Sequence, residues 1–338
     1  MKKILGISVL VIAILAVAFA FMRGDSGSTA KTQRLRLATH YNTSHPGYAS
    51  LERIAKEIET KTKGEIKIKI YPSSQLGDYT VTYQDLMKGA VDMALIPIPS
   101  EYDSKLEMNF IPYLVSGYQD LPKVFGADSY FSKTYGQVHE KLGVKLMGIY
   151  VEGLIGIAYT KLPDKYQDAS VQKASKVRAP AIEVYNLVVN DMGFGATTIP
   201  YSDLYSSLQT GVCDGAIGLT PQLAYTDFRD VIKHYVCYNI FAENIGYFTS
   251  AKTFDKLTDE QKKIVTEAFA KEAENSYKVA EELDKKAIED LKKYGVKVET
   301  ISDQEMKAYV DKVRTTTWPK LKKNIGEDTL KNLTDSVK

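Results

Sequence analysis

The chain has 338 residues, 44% of them hydrophobic and 25% charged, with a formal net charge of +2. That is the composition of a globular protein long enough for two domains, which excludes a disordered chain. Acidic and basic residues are interspersed and no basic face stands out, which argues against nucleic acid as a partner.

Lys2 and Lys3 precede an apolar run from Ile4 to Met22, after which "RGDSGSTAKTQ" turns polar. This pattern predicts an export signal or an uncleaved N-terminal anchor over 1–30. Ala18 and Ala20 offer a small-x-small cleavage site, and no Cys follows the run to carry a lipid. No second stretch approaches about 20 apolar residues, so the remainder is expected to be a periplasmic or otherwise extracytoplasmic body. That location disfavours ATP- or nicotinamide-dependent chemistry. The two cysteines, Cys213 and Cys237, lie in apolar contexts; they are either buried free thiols or a single bridge between neighbouring strands.

"RLRLATHY" alternates as a strand, and Leu51, Ile54, Ala55 and Ile58 recur with helical period between Pro46 and Lys61. "EIKIKIYP" then puts Ile66, Ile68 and Ile70 on one strand face. This βαβ order predicts a parallel sheet. It repeats with a helix around "YTVTYQDLMKGA" and the strand "VDMALIPI". The apolar "VKLMGIYVEGLIGIAYT" reads as one or two central strands leading out of the first domain. Beyond it the pattern restarts: strand "KVRAP", helix "IEVYNLVVNDMG", strand "ATTIP", helix "SDLYSSLQTG" and strand "CDGAIGL".

Thr258 followed by "DEQ" is a capping box. From there Val265, Phe269, Ala273, Tyr277, Ala280, Leu283, Ala287 and Leu291 recur every three or four residues until Tyr294-Gly295. A helix of this length spans roughly 50 Å, longer than one small domain needs. Its stripe of Ala, Phe and Tyr is not a coiled-coil seam, so it is expected to lie across two domains.

Enzyme signatures fail: there is no G-x-S-x-G, H-E-x-x-H or Walker loop, and "GFG" at 193–195 reads as a helix end. The four histidines, His40, His45, His139 and His234, are dispersed with no metal-site spacing. Asp203, Asp214 and Glu152 each suit a helix cap, a turn or a partner for a nearby base. No cofactor is called for.

Arg178 is the residue out of place. It sits between apolar neighbours at the start of a buried strand, where a permanent charge is costly unless paired. Either an internal acid such as Glu183 or Asp214 neutralises it, or an anion arrives from outside.

The run "KVRAPAIEVYNLVVNDMGFGATTIPYSDLYSSLQTGVCDG" resembles the substrate-binding proteins of tripartite ATP-independent periplasmic (TRAP) transporters of the DctP type. Lys176, Arg178 and Pro180, then Pro200 to Tyr205, then Leu208 to Gly215 match the family pattern K-x-R-x-P followed by P-[FY]-S-[DE]-x-Y-x-x-L-Q-x-G-x-x-D-G. "YPSSQLGD", "KGAVDMAL" and "NFIPYL" resemble the family's N-terminal landmarks in order.

The resemblance covers the whole exported body. It implies an α/β, two-lobed periplasmic-binding-protein (Venus flytrap) fold, with hinge strands and a long domain-spanning helix closing over an organic acid. The lobes would comprise 31–154 with about 243–282, and 155–242 with about 283–338. The matching arginine, Arg178, would hold the ligand carboxylate through a two-pronged salt bridge, and the partners would be the small and large membrane permease subunits.

The chain also departs from the pattern. Leu154 stands where many members carry a second arginine, Gly218 where most carry Asn, and Tyr79 and Pro97 where sugar-acid binders carry polar side chains. The other expected pocket residues are His40, Tyr41, Tyr102, Tyr201 and Phe241, with Glu152 either bonding a ligand hydroxyl or solvated. These departures predict a monocarboxylate with an apolar or aromatic body; a four-carbon dicarboxylate or a sugar acid is the alternative, as is a ligand-sensing role in a signalling system.

Overall fold

The structure, a computed structural model, describes residues 32–98 and 100–338. The export-signal or anchor reading for 1–30 lies outside the described residues. Two sheets organise the body. The first has the order β2-β1-β3-β10-β4, from strands Gln33–Thr39 (β1), Ile66–Tyr71 (β2), Met93–Ile96 (β3), Val144–Leu154 (β4) and Ala242–Ser250 (β10). The second has the order β11-β9-β5-β8-β6-β7, from Gly156–Tyr159 (β5), Lys176–Ala179 (β6), Gly195–Thr198 (β7), Gly215–Leu219 (β8), His234–Val236 (β9) and Lys297–Glu299 (β11). The fold is α/β and two-lobed.

Strands β1 and β3 run parallel, as do β6, β7 and β8, with helices Pro46–Lys61 (α1), Tyr79–Lys88 (α2), Glu183–Asp191 (α5) and Tyr201–Gln209 (α6) in the crossovers. Helices Leu121–Phe125 (α3) and Tyr130–Lys141 (α4) lead into β4. The apolar stretch after Gly143 is two strands, one in each sheet. Ile155 is the residue between them, and it is bonded to the return crossover on both sides. Its N–H donates to the Phe241 carbonyl (2.8 Å) and its carbonyl accepts from Ile240 N–H (2.9 Å). The β4–β5 and β9–β10 connections between the lobes therefore form one hydrogen-bonded hinge.

Two bulges re-aim side chains beside this hinge. Glu243 pairs with Gly153 and Asn244 with Val151, leaving Glu152 as the extra residue. Gly156 pairs with Leu219 and Ile157 with Ile217, leaving Gly218 as the extra residue. Gly218 has φ +85°, a left-handed conformation that glycine adopts at least cost.

A short helix, Pro221–Leu223 (α7), and a π-turn at Ala224–Phe228 follow β8, and Ala251–Phe254 (α8) follows β10. The expected capping box at Thr258 is formed, and helix α9 runs 36 residues from Asp259 to Tyr294, closed by Gly295 at φ +106°. It packs along β4 and ends beside β11, so it spans both lobes. Helices Asp303–Thr316 (α10), Trp318–Ile325 (α11) and Glu327–Asp335 (α12) complete the chain. They too touch both lobes: Tyr309 hydroxyl donates to the Tyr166 carbonyl, and Trp318 Nε1 to that of Pro112.

Both cysteines are free thiols, Cys213 buried and Cys237 half-buried. The bridge that the sequence left open is not formed. Among the described residues no helix is long and apolar enough to cross a membrane.

Candidate functional site

Arg178 projects from β6 and is 2% exposed. Its Nε donates to the Ile199 carbonyl (2.9 Å) and its Nη1 to that of Ile217 (3.4 Å). A guanidinium has five N–H donors, so three remain. Among the described residues it forms no ion pair. Asp214 accepts from the Lys176 amide instead (2.7 Å), and Glu183 lies beside Glu107. Burial therefore pulls the Arg178 pKa down, with no carboxylate bonded to it to offset the loss of water.

The guanidinium borders a cavity between the lobes that is also walled by His40, Tyr79, Pro97, Glu152, Tyr201 and Gly218. With Arg178 these are seven of the eleven residues expected from the sequence. Pro180, Ile182, Leu223 and Ile245 supply apolar surface, and Tyr185 and Glu243 add two polar groups that sequence reasoning missed. The signal for Glu243 was present: it is a lone charge in the apolar run "IFAENIGYF", and it is the second residue of a nine-residue strand buried throughout.

Four expected residues stand behind the wall or away from it. Tyr41 stacks on His45 (3.9 Å between centroids) and donates its hydroxyl to Glu152, so it supports the wall from behind. Leu154 is held by its backbone N–H, which donates to Asp284 Oδ2 (2.9 Å). Phe241 packs against Tyr185 and Phe110 and borders a different cavity. Tyr102 reaches the Thr80 carbonyl and packs on Tyr83.

Glu152 is saturated by the protein. Tyr41 and Thr220 donate to its two oxygens, and His45 Nε2 stands 3.5 Å from Oε1. His45 Nδ1 caps α1 by accepting from Gly47 N–H (3.0 Å), which leaves the ring proton on Nε2, facing Glu152. Burial alone would raise the Glu152 pKa, but His45, Thr220 and Tyr41 together hold it below the usual carboxylate value. Glu152 is thus a buried anion, neither solvated nor free for a ligand.

His40 is the converse case. Burial pulls its pKa to about 3, so it is neutral, and its Nδ1 has no hydrogen-bond partner. Glu243 receives one hydrogen bond, from Tyr185 hydroxyl to Oε2 (3.1 Å); burial first, and the Glu152 charge second, push its pKa well up.

Several contacts tie the lobes across the cleft. Tyr79 hydroxyl accepts from Ala181 N–H (2.9 Å), the Asn42 side-chain amide donates to Asp227, and Thr220 donates to Glu152. The cavity they enclose is ≈ 30 Å³, room for about two waters, so a larger ligand enters only with the lobes further apart. An open groove of ≈ 700 Å³ between α1 and α9 is larger. Most of its charges are already matched, however, Arg53 by Glu272, and Lys61 and Lys271 by Glu57. Among the described residues no cluster of His, Cys, Asp and Glu could hold a metal ion.

Residues 37–323 match the family model of the bacterial extracellular solute-binding proteins, family 7 (DctP). The chain belongs to this family. Among curated relatives, the sialic acid-binding periplasmic protein SiaP of Vibrio cholerae is 23% identical over 78% of this chain and 80% of its own. The C4-dicarboxylate-binding periplasmic protein DctP of Rhodobacter capsulatus is 26% identical over 56% of this chain and 55% of its own. Of solved structures, the sugar acid binding protein DctPAm of Advenella mimigardefordensis, in complex with galactonate, superposes with a TM-score of 0.84 at 20% identity, covering 91% of this chain and 98% of its own. A TRAP periplasmic solute-binding protein of Desulfovibrio salexigens with bound orotic acid gives 0.82 at 20% identity over 90% and 98%. These superpositions establish the two-lobed fold. As a family 7 member the chain is a solute-binding protein and not an enzyme.

Proposed function

We propose that this chain is the extracytoplasmic receptor of a TRAP transporter and captures a small organic acid, with the acid's carboxylate on Arg178. The observation that carries the reading is the state of Arg178: buried, anchored on one side by two carbonyls, with three N–H donors left over and, among the described residues, no acid bonded to it. A planar carboxylate meets such a fork with two parallel charge-assisted bonds. Closure follows from the cross-cleft contacts, because a ligand touching both lobes shifts the open and closed populations toward closed. The closing bodies in this reading are 31–154 with 243–282, and 155–242 with 283–338. The closed form then docks on the membrane permease pair.

A single cation in a wall that holds the Glu152 anion favours one carboxylate over two, since a second would face like charge. The rings of Tyr79, Tyr185 and Tyr201, with Leu223 and Ile245, favour an apolar or aromatic body. A dicarboxylate such as succinate and a sugar acid are the alternatives; both occur as ligands of solved structures with this fold.

A thermal-shift screen of organic acids tests the reading. A ligand at 100 times its Kd adds about 2.7 kcal/mol of stability. Apolar and aromatic monocarboxylates are expected to raise Tm, and Arg178→Met to abolish every such response. Normal binding by the Met variant would show the arginine to be structural, and a response to succinate or a uronate alone would overturn the assignment of ligand class.

A further inference from the structure

Arg178 and Glu243 border one cavity, both buried, and do not pair with each other. Each is anchored on one side only. Arg178 is held by the Ile199 and Ile217 carbonyls, and Glu243 by the Tyr185 hydroxyl on Oε2. The remaining donors of the one and Oε1 of the other have no protein partner among the described residues. Opposite charges attract strongly in a low-dielectric interior, and a buried pair kept for structural reasons closes into contact with its bonds satisfied. Here the two groups are held apart on the walls of a shared space. That leaves one end for an anion and one for a cation.

Glu152 cannot serve as the second end, because Tyr41, Thr220 and His45 already occupy it. A plain carboxylate uses Arg178 and leaves Glu243 against the ligand's apolar body. A dicarboxylate sets its second anion near the Glu152 charge. A ligand with one carboxylate and one protonated nitrogen satisfies both ends. The rings of Tyr79, Tyr185 and Tyr201 beside the cavity also suit a cation.

Resting on the Arg178 reading above, we propose that the ligand is a zwitterion, an amino acid or related ammonium carboxylate, with its carboxylate on Arg178 and its protonated nitrogen on Glu243. The groups facing Glu243 agree. Burial and the Glu152 charge push its pKa up while Tyr185 and Arg178 oppose them, the balance of a carboxyl that lacks a counter-charge and gains one with the ligand.

Calorimetric titration with matched acids tests this: alanine, pyruvate and propionate; leucine, its oxo acid and its deaminated acid; phenylalanine, phenylpyruvate and phenylpropionate. For at least one skeleton the amino acid is expected to bind about tenfold or more tighter than both counterparts, the size of one buried charge-assisted bond. Glu243→Gln, which is isosteric and keeps an oxygen for Tyr185, should bring the three within a few-fold of one another, and Glu243→Asp should fall between. Equal or tighter binding of the oxo or deaminated acid in every skeleton overturns the proposal. So does an unchanged amino preference in a Glu243→Gln protein that melts as the wild type does. Unchanged binding of all three by Arg178→Met instead overturns the Arg178 reading, and no binding of any acid by the wild type overturns both.

Discussion

Asp284 fills the place that a side chain on Gly153 would take: its Oδ2 lies 2.2 Å from where a Cβ would stand. The same oxygen accepts the Leu154 N–H at 2.9 Å and the Tyr118 hydroxyl at 2.7 Å, while Oδ1 accepts from Gln222 Nε2 at 3.2 Å. The long helix α9 thus holds the backbone of the hinge through one carboxyl, and the hinge must present a glycine to receive it.

Gly153→Ala should accordingly destabilise the protein by about 2 kcal/mol, since the displaced carboxyl has no free space to move into. Urea unfolding measures this. A change within experimental error would show that the hinge relaxes around the methyl group.

Asp284 also sets a pH dependence. Burial raises its pKa from 3.8 to about 7, against the pull of Leu154 N–H, Tyr118 and Gln222 and with the Glu152 charge adding to the rise. A carboxyl raised in the folded state binds its proton more tightly there than when unfolded. Its contribution is therefore full below about pH 4 and is lost as pH rises to about 7. Subtracting the stability curve of Asp284→Asn from that of the wild type should give a difference that falls across this window. A flat difference would show that the carboxyl ionises normally in the fold.

Tyr79 joins the lobes by accepting the Ala181 N–H. Tyr79→Phe removes the acceptor and leaves the ring, so the closed form should lose about 1 kcal/mol. Ligand affinity should fall about fivefold, with a larger radius of gyration in solution scattering at subsaturating ligand. Unchanged affinity and radius would remove this bond from the closure mechanism.

Arg178→Lys keeps the charge and discards the fork. The ammonium cannot hold the Ile199 carbonyl and both carboxylate oxygens in one plane, so affinity should fall by about tenfold or more while Tm without ligand stays near that of the wild type. An affinity equal to the wild type would reduce the role of Arg178 to charge alone.

Much of the fold was legible along the chain because its signals are local. The periods of α1 and β2, the capping box at Thr258, the stop at Gly295 and the repeated strand-helix-strand order all depend on neighbours a few residues apart. Arg178 stood out in the same way, as a charge in a buried strand. The site was less legible where its geometry departs from regular alternation. Alternation puts Glu152 and Leu154 on one strand face, but the bulge at Glu152 parts them, so only Glu152 borders the cavity.

The sequence by itself determined that this is an α/β protein with a long spanning helix and one arginine whose charge in a buried strand needs a partner, from inside the fold or outside it. Tertiary structure alone decided the rest. Tyr41 and Thr220 saturate Glu152 across 111 and 68 residues, and Tyr185 meets Glu243 across 58. A buried charge is judged by what surrounds it in space, and sequence order does not carry that distance.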